Sequence, residues 1–161
     1  MRIALLLILT TAGTLGFAQE FSIDDYQVRW TYLHAGNTQI RVVKTEEDSF
    51  ISVYKSNGLV SASASLHGDE AVQVGQALAR TQEVFEQQQG ASDNVSEVVE
   101  AGNFNVTFRT SVFNGFTVVI QENTRFSTNA VTLVLDEVLA IQQHLLKANE
   151  MLEFLDSKIA F

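Results

Sequence analysis

Between Tyr26 and Leu66 the chain alternates apolar and polar side chains with the two-residue period of half-buried strands. Tyr26, Val28, Trp30 and Tyr32 are interleaved with Gln27, Arg29 and Thr31, and Ile40 and Val42 flank Arg41. Phe50 to Tyr54 reads as a third strand, and Val60, Ala62, Ala64 and Leu66 alternate with Ser61, Ser63 and Ser65 as a fourth. The segments between them are turn-forming. Ala35-Gly36-Asn37 and Glu46 to Ser49 bend the chain, and Asn57-Gly58 is a hairpin signal because both residues tolerate positive φ. The period then lengthens. Ala71, Val74, Leu78 and Phe85, with Thr81 between them, follow three-four spacing, which predicts a helix with Asp69 as its N-cap.

The pattern then returns. His34-Ala35-Gly36-Asn37 followed by TQIRVV matches Glu100-Ala101-Gly102-Asn103 followed by FNVTFR, displaced by 102 − 36 = 66 positions. Past the next turn the displacement is 145 − 78 = 67, pairing Leu66 with Leu133, Asp69-Glu70 with Asp136-Glu137, and Leu78 with Leu145. The extra residue falls between KSNGL and QENTRF, which both read as turns, where insertions are tolerated. In the second copy Val138, Ile141, Leu145, Ala148, Leu152, Leu155 and Ile159 continue as one apolar stripe. QQQGASD (Gln87 to Asp93) separates the copies. The expected fold class is therefore α+β: two ββββα repeats, 26–88 and 94–159, forming one pseudo-twofold domain with antiparallel sheets and two packed helices.

Two associated ββββα units resemble the Whirly and Pur-type single-stranded nucleic-acid-binding families. The resemblance spans about 26–159 and rests on element order and duplication. No stretch matches a motif diagnostic of either family, so no functional residue is carried over. The resemblance implies nucleic-acid binding, and composition argues against it. The chain has 19 acidic and 10 basic residues, a net charge of −9, which repels phosphate backbones and anionic headgroups.

The first residues, MRIALLLILTTAGTLGFAQ, have the layout of a secretory signal peptide: Arg2, an apolar run from Ile3 to Leu9, then Gly16 and Ala18 before a cleavage point. This predicts export to the periplasm or medium, with 1–18 removed and 19–161 as a single domain. The mature chain then has 9 − 19 = −10 net charges and no stable membrane insertion. Without cysteine, neither a disulfide nor lipidation at the cleavage point is available.

Candidate chemistry is sparse. His34, His67 and His144 lack metal-ligand spacing, and no nucleophile elbow, phosphate loop or calcium loop appears. Asp69-Glu70 and Asp136-Glu137 are explained as helix caps, and Glu46-Glu47-Asp48 as a solvated turn. No catalytic residue, metal or cofactor is expected. The pattern singled out is basic: by alternation Arg29 and Arg41 point away from Trp30, Ile40 and Val42, and Arg109 away from Phe108. Together they predict one polar sheet face suited either to cross-strand pairing or to gripping an anionic group. The expected function is a non-catalytic exported binding or assembly module for a protein or a small anionic ligand, a form compatible with oligomers. The alternatives are a Whirly-like nucleic-acid binder and an enzyme whose residues converge only in space.

Overall fold

A computed structural model of the chain describes residues 27–124 and 129–159; the expected signal peptide lies outside them. Each copy forms an antiparallel four-stranded sheet in sequence order. The first contains β1 (Gln27–Ala35), β2 (Thr38–Thr45), β3 (Ser49–Asn57) and β4 (Val60–Leu66). The second contains β5 (Val95–Ala101), β6 (Phe104–Ser111), β7 (Gly115–Glu122) and β8 (Ala130–Val134). Gly36 and Gly102, at φ 58 and 61, turn the first hairpin of each copy. Both occupy the left-handed region, where a Cβ is strained.

Each sheet is followed by two helices, not one. They are α1 (Gly68–Leu78) and α2 (Thr81–Gln88), then α3 (Leu135–Leu145) and α4 (Ala148–Lys158). The break contains neither glycine nor proline. Arg80 N–H donates to the Ala77 carbonyl, and Lys147 N–H to that of His144. These i→i+3 bonds tighten the last turn. The Thr81 hydroxyl, fully buried, donates to the Leu78 carbonyl at 2.6 Å. The helix starts also differ from expectation. His67 and Val134 are the N-caps, and Asp69 and Asp136 lie in the first turn. Glu70 and Glu137 reach back to accept the N–H groups of His67 and Val134 at 2.9 and 3.0 Å.

The helices cross between copies. α1 packs on β5 and β6 of the second sheet and against α3, and α2 lies on β6. Conversely α3 reaches β1 of the first sheet while also lying on β7 and β8 of its own, and α4 packs on β2 and β3 of the first sheet. One contiguous core results, drawing Ile40, Val53, Leu66 and Leu78 from the first copy and Phe108, Ile120, Leu133 and Leu145 from the second. Leu78 and Leu145 are 1% and 0% exposed, so the equivalent helix stripes meet in the interior.

The helix crossing is close at Gly75. A Cβ there would lie 3.1 Å from the Leu145 Cβ and 3.1 Å from the Leu146 backbone nitrogen. Backbone cannot swing aside as a side-chain tip can, so Gly75→Val should destabilise the fold by about 1–3 kcal/mol, as overpacking does. A urea titration would show this as a lowered midpoint. An unchanged midpoint would mean that the helices are not packed this closely.

Candidate functional site

With Ile40, Val42, Ile51, Val53 and Leu66 turned into the core, the alternate positions of β1–β4 form the outer face of the first sheet. Register places Thr31, Arg41, Ser52 and Ser65 in one cross-strand row. Gln39, Tyr54 and Ser63 form the row on one side, and Arg29, Val43 and Phe50 the row on the other. Neither glutamate nor aspartate stands in these rows, although the chain carries 19 acidic residues.

At the centre, the Arg41 guanidinium carbon lies 3.5 Å from the Tyr54 ring centroid, a cation–π stack. Arg41 Nε donates to Gln39 Oε1 at 2.8 Å, fixing the guanidinium plane. The hydroxyls of Ser61 and then Ser56, helped by Arg41, hold the Tyr54 phenol below its ordinary pKa against a smaller opposing effect of burial. Arg29, exposed, donates from Nη2 to Gln27 Oε1 at 3.1 Å. Among the described residues neither arginine makes an ion pair with a carboxylate.

The topology divides the three arginines. Arg109 pairs with Ser96 and Thr117 on the outer face of the second sheet, apart from Arg29 and Arg41. Strand parity fixes the side of a strand but not the sheet to which it belongs. The second outer face is otherwise nearly uncharged, with Val98, Thr107, Val119 and Thr132 across it.

The histidines do not converge. His34 pairs with Gln39 in the strand ladder, and the His67 ring is 3.5 Å from Asp48 Oδ2. His144 meets Tyr32 edge-on at 5.2 Å between centroids. Among the described residues, no three His, Asp or Glu side chains are grouped to hold a metal. A cleft of about 390 Å³ opens between the copies, where Ser63, Ser65, His67, Glu70, Asn103 and Glu122 are among its walls. Its Glu70 is already engaged, accepting from Asn103 Nδ2 at 2.6 Å.

Sequence reasoning missed the ion pairs, of which one among the described residues is buried. Lys55 Nζ meets Glu137 Oε2 at 2.6 Å, with side chains 12% and 9% exposed. Burial alone would raise the Glu137 carboxyl, but the Lys55 ammonium and the Val134 N–H together hold it below its ordinary pKa. The available signal was parity, because Lys55 shares its side of β3 with Ile51 and Val53. The equivalent glutamate, Glu70, takes Asn103 instead.

No family model, curated protein or solved structure matches this chain. Among the described residues, no helix is long and apolar enough to cross a membrane.

Proposed function

We propose that the protein is an exported, non-catalytic binding module whose first sheet engages a carboxylate-bearing partner through Arg41 and Arg29. The observation that carries this reading is the acid-free outer face of β1–β4. There a guanidinium is pre-oriented by Tyr54 and Gln39 and, among the described residues, has no carboxylate of its own. A planar fork held in place loses little freedom when it grips a carboxylate with two hydrogen bonds. Export is supported by the leader pattern at the amino terminus.

Titration of the full chain with poly-glutamate at low salt tests the reading. Arg41→Ala should weaken binding about tenfold, the worth of one charge-assisted hydrogen bond, at an unchanged melting temperature. Arg109→Ala, on the other sheet, should bind like the parent. Equal effects of the two substitutions would reduce the interaction to unspecific charge and sink the reading. Tighter binding of a single-stranded oligonucleotide than of poly-glutamate would favour the function implied by the resemblance to Whirly and Pur-type proteins.

A further inference from the structure

The pseudo-twofold makes the two ends of the molecule architecturally equivalent, yet the tips of their hairpins differ in chemistry. Glu137, at the start of α3, bonds Lys55 in β3 and lies against Gly36 in the β1–β2 turn. Glu70, at the start of α1, bonds Asn103 in the β5–β6 turn. The sheets therefore run antiparallel side by side. The β3–β4 and β6–β7 hairpins project from one end, and the β2–β3 and β7–β8 hairpins from the other.

At the first end both tips are apolar and fully displayed. Leu59 and Val60 are 104% and 71% exposed, and Val112 and Phe113 are 67% and 94% exposed. Neither tip, 56–61 or 111–115, contains an acidic residue. Behind them the Lys55–Glu137 pair is internally neutralised, and the exposed acids at their base are Asp136 and Asp93, the latter beside the Asn94 that accepts from the Val112 N–H. At the opposite end stand Glu46, Glu47, Asp48 and Glu122. Val112 and Phe113 occupy the positions that Glu46 and Glu47 hold in the first copy (112 − 46 = 66). One fold accommodates both pairs at the same turn, so folding does not require the apolar residues where they stand.

We infer that this end docks on a lipid bilayer, with Leu59, Val60, Val112 and Phe113 entering the interface as two shallow fingers. Isolated protruding tips offer no groove to a folded partner, whereas an interface closes around any apolar projection that enters its headgroup–acyl boundary. The occupant is a zwitterionic surface, because a chain of net charge −9 is repelled by anionic headgroups. The inference is independent of the arginine face, which lies on the side of the first sheet and not at its tips.

The amino-terminal apolar run attracts lipid by itself in the full chain, so the test is local. Two proteins are made in a Trp30→Phe background, one with Phe113→Trp and one with Glu47→Trp at the equivalent tip. Each is mixed with phosphatidylcholine vesicles brominated on the acyl chains. Emission from position 113 should shift to the blue and be quenched, and emission from position 47 should do neither. Adding Leu59→Ser should reduce the quenching at 113, because the two tips enter together. Quenching at both positions, or at neither, overturns the inference. A blue shift at 113 without vesicles, lost on dilution, also overturns it by showing that a second copy covers the tips.

Discussion

Truncating Leu145 to Ala should lower the folding stability by about 2–5 kcal/mol, the range for large-to-small changes at buried sites. Leu145 is 0% exposed and sits where α3 crosses α1, beneath Gly75. A cavity there opens between helices that hold the two copies together, and the close backbone approach at Gly75 leaves little room for collapse into it. The equivalent truncation at Leu78, 1% exposed, should fall in the same range. Leu139, on the same helix but 44% exposed, provides the control, and its truncation should change stability by only about 0.5 kcal/mol. Urea unfolding would record the difference as a lowered midpoint at constant slope. Similar losses for Leu139→Ala and Leu145→Ala would mean that α3 does not present this face to a shared core.

Much of this architecture is legible in the residues. Strand alternation and the displaced repeat define eight strands, and displacement by 67 carries α1 onto α3 from first residue to last (68 + 67 = 135, 78 + 67 = 145). The division of each helical segment is not legible. Ala79 and Leu146 keep right-handed helical backbone angles through the break, so the apolar stripe continues without a proline or glycine to mark it. The reach of each helical segment onto the other copy's sheet is equally silent. A stripe such as Ala71, Val74 and Leu78 records that a partner exists, and both sheets offer an equally apolar inner face. The same limit applies to the arginines. Alternation turns Arg41 and Arg109 outward, while only the three-dimensional pairing separates their sheets. The stacking of Arg41 on Tyr54 depends on register, because Tyr54 lies opposite Gln39 and diagonal to Arg41. The lysine at a core-parity position of β3 was a readable irregularity whose partner lies 82 residues away.

That pair should govern much of the acid sensitivity of the fold. Glu137→Gln would leave the Lys55 ammonium, 12% exposed, without its counter-charge, and breaking a buried pair from one side costs about 3–5 kcal/mol. The sign of the pH dependence follows from the lowered Glu137 pKa. A carboxyl that is more acidic folded than unfolded contributes its full stabilisation above the ordinary carboxylate range. That contribution is lost as pH falls through this range towards the folded value, because the unfolded chain binds the proton first. Asp156, also held low by Lys44 and then Ser49, adds loss in the same direction. The comparison between parent and variant removes this shared background. Near neutral pH the parent should exceed Glu137→Gln in stability by the full amount, and the gap should narrow steadily as pH falls below the ordinary carboxylate range. A double replacement, Lys55→Met with Glu137→Leu, removes both charges and should recover most of the loss, since apolar substitutes for a buried pair are often neutral or stabilising. Urea midpoints at neutral and acidic pH for five proteins, the parent, Glu137→Gln, Lys55→Met, Glu137→Leu and the double variant, complete the cycle. If the losses from Lys55→Met and Glu137→Leu simply add in the double variant, and the gap to Glu137→Gln persists in acid, then the bridge between β3 and α3 does not hold the two copies together.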